Sequence, residues 1–196
     1  MPRIPGTDDK ERRRTRLEQT ALELFRARGF DHVTVEDICT QAAVAPATFY
    51  RYFGSKDEVV FAYTDDFTEG LRAALDASTA SPGPERLAAV LDRFAAFLES
   101  RQEAIGLRDA IVLGHPRLMQ RTVAVQRELE AELAAGLAQH RGQDEPDAAV
   151  LLEAGVGMLV LRVAVRTWRA GGAGSLIDAT REALTAFEGL ASTMSR

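Results

Sequence analysis

The stretch Pro46-Ala47-Thr48-Phe49-Tyr50-Arg51-Tyr52-Phe53 holds four aromatic residues in its last five positions, in a chain whose aromatic share is only 7%. Pro46 suits the first position of a helix, where its missing N–H leaves nothing unsatisfied. At about 100° per residue, Phe49 and Phe53 fall on one side, four positions apart, and form an apolar anchor. Arg51 points nearly the opposite way, beside Ala47. Thr48 and Tyr52 lie on one flank of that outward face and Tyr50 on the other. A helix with a small residue and a cation at its centre, and hydroxyls on both edges, fits the major groove of DNA. Hydroxyls on the flanks would meet phosphates, while Arg51 or Thr48 at the centre would meet base edges. The same pattern also suits a surface helix whose Tyr rings merely cover a core.

The flanking sequence decides between these readings. From Lys10 to Arg28, Leu17, Ala21, Leu22, Leu24 and Phe25 recur at helical spacing, and Gly29 follows as a C′ residue would. Thr34 is a good N-cap for a helix through Val35, Ile38 and Cys39, with Asp37 at the capping-box position. The run Ala42-Ala43-Val44-Ala45 is a tight turn before Pro46. Gly54-Ser55 ends the short helix, and Ser55, with Glu58 three residues on, caps the next. Two short helices about three residues apart, sharing Ile38, Val44, Phe49 and Phe53 as a core, describe a helix-turn-helix. The helix 10–28 would brace it.

The run from Gly29 to Val60, GFDHVTVEDICTQAAVAPATFYRYFGSKDEVV, closely resembles the N-terminal DNA-binding region of the TetR family of transcriptional regulators. The matching features are Gly29-Phe30, Thr34-Val35, Ile38, Ala42, Val44, Thr48-Phe49-Tyr50, Tyr52-Phe53 and Lys56. The resemblance implies a homodimer, an all-helical ligand domain after the helix-turn-helix, and release from a palindromic double-stranded DNA operator when a small effector binds. Carried onto this chain, it puts phosphate contacts on Thr34, Tyr50, Tyr52 and Lys56 and base contacts among Ala47, Thr48 and Arg51. Arg13, Arg14 and Arg16 would touch backbone or minor groove. Two departures stand out. The family usually has Gly where this chain has Ala43, and a small polar cap where it has Ala45.

Composition is that of a globular chain: 196 residues, 46% hydrophobic and 27% charged. The net charge of −5 does not favour DNA binding as a whole, but the charge is unevenly spread. Residues 1–60 are neutral, with ten basic and ten acidic side chains, and include the dense basic cluster Lys10-Glu11-Arg12-Arg13-Arg14-Thr15-Arg16. Such a cluster can neutralise phosphates. Cys39 is the only cysteine, which excludes an intrachain disulfide and suits a reducing compartment. With no signal-like N-terminus and no apolar run near ~20 residues, the expectation is a cytoplasmic protein with no membrane role.

Beyond Ser55 the periodicity is helical throughout, which predicts an all-α fold of about nine helices. One long helix runs through Val59, Tyr63, Phe67, Leu71 and Leu75, and others open at Pro84, Ala104, Pro116, Pro146 and Ser175. The expected organisation is a flexible arm over 1–9, a helix-turn-helix DNA-binding domain over 10–54, and a ligand-binding and dimerisation domain over 55–196. The helix from Ala148 to Ala170 is apolar on nearly all sides, which requires cover on all sides. A four-helix dimer interface formed with the last helix answers that need, using Val156, Val160, Val163, Trp168, Leu176, Leu184 and Phe187, with Gly155 and Gly157 allowing close approach of a partner; a central helix of a single-chain core is the alternative. Phe61, Phe67, Phe94, Phe97, Leu98 and Met119 are candidates to line an apolar effector cavity, although plain core packing suits each of them. Arg108, Arg117, Arg121 and Arg162 add cations, Arg162 needing a partner such as Glu153 or a ligand anion. The segments RLAAVLDRFAAFLES and RTWRAGG resemble a subgroup of the family with acyl-CoA-like ligands. The three His are scattered, none has metal-ligand spacing, and there is no phosphate-cradling loop or nucleophile elbow. No catalytic residue, metal or cofactor is therefore expected. An architectural helical module, the other alternative, would leave the outward Tyr-Arg-Tyr face unused.

Overall fold

A computed structural model describes residues 5–172 and 174–194. Within them the chain is helical, with no strand. The helices are α1 (Pro5–Arg28), a 3-10 turn (Phe30–His32), α2 (Val35–Ala42), α3 (Pro46–Tyr52), α4 (Lys56–Val60), α5 (Thr64–Asp76), α6 (Pro84–Glu99), α7 (Gln102–Leu113), α8 (Pro116–His140), α9 (Ala148–Arg169) and α10 (Leu176–Met194). Helix α1 already begins at Pro5, so residues 5–9 of the expected arm are helical, and residues 1–4 lie outside the described residues.

Where the sequence predicts one long helix from Ser55, the structure has two, α4 and α5. Val59, Val60 and Phe61 are consecutive and all buried. Three adjacent positions span far more than one face of a straight helix, so the chain turns to bury all of them. The α4 end tightens into bonds from the Phe61 N–H to the Glu58 carbonyl and from the Ala62 N–H to the Val59 carbonyl. Thr64 restarts the helix, its hydroxyl donating to the Phe61 carbonyl at 2.8 Å.

The chain divides into two compact units. One comprises the described residues up to Thr64 together with Glu103–Arg121; the other comprises Asp65–Gln102 and the described residues from Thr122 onward. The boundary thus falls later than residue 54, and α7 with the start of α8 belongs with the helix-turn-helix. The first unit's core is built on Leu17, Ala21, Phe25, Val33, Ile38, Phe49, Phe53 and Val59. In the second unit α10 packs on α9 and α6, around Leu71, Leu91, Phe94, Leu133, Val150 and Leu161. Gly157 lies against Leu87 and Leu133 of the same chain, where an added Cβ would stand 2.9 Å from Leu87 Cδ1. Its smallness therefore serves this core and not a partner's backbone, and Gly155 faces Glu130.

Helix ends follow the local chemistry. Thr34 forms a full capping box with Asp37, and Ser55 and Ser175 accept from the N–H groups of Glu58 and Asp178. Asp147 caps α9 by accepting from the Val150 N–H at 2.9 Å. Gly29 ends α1 at φ 83°, in the region only glycine enters freely. Ala43 ends α2 at φ 54°, ψ 48°, a left-handed conformation. It is the one non-glycine residue with positive φ among the described residues. Its N–H bonds the Thr40 carbonyl, and the Val44 N–H returns to Cys39 at 3.0 Å, so the turn holds despite the strain. An L-residue there costs ~1–2 kcal/mol, less the extra unfolded-chain freedom of glycine. Ala43→Gly is expected to stabilise the protein by about 1 kcal/mol, raising the thermal midpoint by ~2–4 °C. Calorimetry on the two proteins checks it, and a lower midpoint for the glycine variant would contradict the assigned turn.

Candidate nucleic-acid interface

Helix α3 has no side-chain cap at Ala45; the Ala45 carbonyl takes the Thr48 N–H at 2.8 Å, and Pro46 opens the first turn. What fixes its orientation is the inward pair. Phe49 is fully buried, Phe53 is 3% exposed, and their rings lie 5.5 Å apart. With that side held, the other faces out: Ala47 and Arg51 are exposed, Thr48 is half-buried, and Tyr50 is 55% exposed with its ring edge-on to Phe49. A hollow of about 320 Å³ beside α3 is lined by Thr48, by Ala42, Ala43 and Val44 of the turn, and by Arg13, Arg16 and Leu17 of α1. The arrangement joins the basic cluster of α1 to the outward face of α3.

Tyr52 departs from expectation. It is half-buried, and its hydroxyl is shut off from solvent with no hydrogen-bond partner. The reason is its place at the end of α3, where the ring leans back toward Phe53, 6.4 Å away.

Two further expected phosphate contacts are already engaged inside the protein. The Lys56 ammonium donates to the carbonyls of Phe30 at 2.8 Å and Val33 at 3.1 Å, and sits 4.3 Å from the Phe30 ring centroid. It thereby ties the 3-10 turn to the start of α4. Thr34 remains exposed, but its hydroxyl proton is given to Asp37 Oδ2 at 2.7 Å. The Thr34 N–H, first, and then its hydroxyl hold the Asp37 carboxyl below its ordinary pKa, against slight desolvation. Cys39 is buried on the inner side of α2, which pushes its thiol up, chiefly by desolvation.

The sequence gives no signal for the docking of residues 103–121 onto this unit, because the partners are far apart in the chain. Arg108 is buried against Glu18 of α1, and its guanidinium stands 5.0 Å from the Tyr63 ring centroid. Burial pulls its pKa down to about 10, opposed by the carboxylate of Asp109, so at neutral pH it is a cation and Glu18 answers its charge. Arg117 pairs with Asp57 at 2.9 Å, His115 Nε2 lies 3.3 Å from Asp31, and Arg121 stacks over Phe61.

These contacts divide the candidate effector residues. Phe61, buried, Arg108, and Met119, 41% exposed, belong to the first unit; Phe67, Phe94, Phe97, Leu98 and Arg162 belong to the second. Within the second, the rings of Phe67, Phe94 and Phe97 pack on one another at 5.8–6.4 Å. Phe97 also borders an open groove of about 330 Å³ with Asp66, Glu69, Arg93 and Arg101. Arg162 is exposed and Glu153 pairs with Arg141, so the partner expected for Arg162 is taken; α9 turns that position toward solvent. The interface list also needs correction. Val160 and Leu176 are 2% and 1% exposed, covered by their own subunit, so neither is available to a partner. Val156, Val163, Trp168, Leu184 and Phe187 are only partly covered.

Comparison with known proteins agrees with this geometry. Residues 19–63 match the family described as bacterial regulatory proteins, tetR family, and residues 82–191 match the MftR C-terminal domain. The HTH-type transcriptional regulator TcmR of Streptomyces glaucescens is 36% identical over 157 residues, spanning 74% of this chain and 69% of that protein. The fold resembles Thermus thermophilus FadR, a TetR family repressor solved with lauroyl-CoA (TM-score 0.57, 23% identity, 88% of this chain and 91% of that one). It also resembles FadR of Bacillus subtilis, solved with stearoyl-CoA (TM-score 0.57, 17% identity, 87% and 95%).

Lys56→Met removes two charge-assisted hydrogen bonds and leaves two carbonyls with fewer partners. The expected loss is about 2 kcal/mol of unfolding free energy, measured by urea titration of the protein without DNA. An unchanged midpoint would show that the ammonium does not hold the turn.

Proposed function

Since the chain belongs to the TetR family of bacterial regulatory proteins, we propose that it is a homodimeric, ligand-released repressor that binds a palindromic DNA operator. The observation that carries the reading is the split of α3: Phe49 and Phe53 inside, Ala47, Tyr50 and Arg51 outside. Ala47, Thr48 and Arg51 are the proposed base contacts, and Tyr50 a phosphate contact. Arg13 and the adjoining cations of α1 add electrostatic attraction to the backbone. Thr34 and Lys56 act first on the protein itself, by capping α2 and tying down the 3-10 turn, and so hold the frame in which α3 is presented.

The dimer reading is supported by α9 and α10. Leu151, Leu152, Leu159 and Leu190 are 54%, 70%, 42% and 65% exposed. Contrary to the sequence expectation, α9, at 22 residues and with a mean hydropathy of 2.0 over its most apolar stretch, is long and apolar enough to cross a membrane, and only 33% of that stretch is buried within the chain. An apolar face of that kind calls for a partner. A second copy also supplies the second α3 needed to read a palindrome. We assign the cover to a twin of this chain, through Val156, Val163, Trp168, Leu184 and Phe187. The unit that holds the helix-turn-helix, up to Thr64 with Glu103–Arg121, is proposed as the DNA-binding part, and the unit of Asp65–Gln102 with the residues from Thr122 onward as the part that dimerises and binds effector.

The proposed effector is a small hydrophobic or acyl-CoA-like molecule. The support is the fold shared with two regulators solved with acyl-CoA thioesters. No catalytic role is proposed, and a DNA-binding regulator of this kind would work in the cytoplasm.

A gel-shift assay with the region upstream of the protein's own operon tests the reading. A discrete shift is expected from dimers sedimenting at twice 21.4 kDa, reversed by the effective member of an acyl-CoA series. Tyr50→Phe is expected to weaken binding to all duplexes alike, whereas Arg51→Ala changes which sequence is preferred. No shift at low salt from folded dimer would contradict the proposal. So would an Arg51→Ala protein that differs only in its salt dependence.

A further inference from the structure

Tyr52 and Arg51 form a contact that neither phosphate binding nor core packing accounts for. The Arg51 guanidinium carbon lies 5.1 Å from the centroid of the Tyr52 ring, within cation–π range. The Tyr52 ring is held in turn. It neighbours Phe53, which is buried and lies 5.5 Å from Phe49. The chain of rings therefore runs from the core of the first unit to the tip of an exposed cation. Arg51 itself is exposed, and a free Arg on a helix surface spreads over many rotamers. A guanidinium laid on a ring loses much of that freedom while its donor edge stays open. That edge is the part that meets the two acceptors of a guanine, or a phosphate, side by side.

The buried hydroxyl strengthens the argument. A Tyr whose role was to donate to a phosphate would hold its oxygen in water, as the exposed Tyr50 can. The Tyr52 oxygen is enclosed and unpartnered, so in this geometry the residue acts through its ring. We infer that Tyr52 is a positioning residue: its ring pre-orients the Arg51 guanidinium, and sequence discrimination at the base pair met by Arg51 depends on that ring and not on the hydroxyl. The inference rests on the DNA-binding reading above and names a determinant of specificity within it.

The test is selection from a randomised duplex pool, followed by binding of the enriched and of scrambled duplexes. It uses the full-length dimer as wild type, Tyr52→Phe, Tyr52→Leu, Arg51→Ala and the Tyr52→Leu/Arg51→Ala double variant. Tyr52→Phe keeps the ring and removes an unsatisfied hydroxyl, so it is expected to fold at least as well as wild type and to enrich the same motif with affinity unchanged within roughly two-fold. Tyr52→Leu is expected to relax the same base pair that Arg51→Ala relaxes. It should weaken the enriched duplex by roughly two- to five-fold, with scrambled duplex unaffected. In the double variant the leucine should add nothing to the loss caused by Arg51→Ala. Three results overturn the inference: Tyr52→Phe weakening every duplex alike with a shallower salt dependence, Tyr52→Leu leaving the motif intact, or additive losses in the double variant. If Tyr52→Leu fails to fold, Tyr52→Met, which keeps apolar bulk without a ring, takes its place, and an intact motif in that variant overturns the inference. A wild-type protein that enriches no motif overturns the DNA-binding reading itself, and with it this one.

Discussion

Two phenyl rings, Phe49 within the seven-residue helix α3 and Phe53 at its C-cap, set the orientation of everything that α3 shows to water. Burying one such ring is worth ~2–3 kcal/mol, more than a helix of this length can gain from its own hydrogen bonds. Helix α3 has no side-chain cap and follows a left-handed alanine. It therefore persists because of what it packs on, and its rotation about its own axis is fixed by the same packing. A rotation of one residue, about 100°, would carry Arg51 away from the outward side and bring a tyrosine to the place of a phenylalanine.

The neighbouring contacts protect that arrangement from its weak points. Lys56 and the Thr34–Asp37 box hold the two ends of the segment that leads into α2. The Val44 N–H bond to Cys39 closes the turn at the strained alanine. From the far side, residues 103–121 add ion pairs to α1 and α4 through Arg108 and Arg117, and His115 Nε2 meets Asp31 of the 3-10 turn. The buried Arg108–Glu18 pair is costly to desolvate and costlier to break on one side. It makes the position of α7 on this unit specific without being a large source of stability. These contacts give the frame of the helix-turn-helix its chemistry; the outward face adds only the groups left free for a ligand.

Much of this was legible in the sequence, for reasons of range. The helix-turn-helix announces itself through local signals: a capping box, glycine after α1, proline at the start of α3, and rings at i and i+4. Each acts within a few residues. The helices of the second unit were legible because their apolar spacing and their prolines are equally local. The reading went astray where geometry is set by distant partners. The three consecutive buried residues Val59–Phe61 split a helix that periodicity alone would continue. Lys56 reads from its place as a phosphate contact, but the carbonyls of Phe30 and Val33 already take its ammonium. Tyr52 has the period of an outward hydroxyl, but the last residue of a helix is free to lean its ring back. Gly157 packs against α6 and α8 of the same chain, and Val160 is buried within it, although the apolar wrap of α9 points both toward a partner. The effector residues were the least legible part, since an apolar side chain that lines a cavity and one that fills a core have the same sequence signal.

Hydrogen–deuterium exchange on the full-length protein, with and without the duplex enriched by selection, tests the central claim most directly. The account predicts slowed exchange through the turn and α3, residues 43–53, and at the α1 basic cluster, with the exposed surface of α10 unchanged by DNA. Exchange in residues 43–53 that stays the same on saturating duplex, while protection appears on another face, would contradict it.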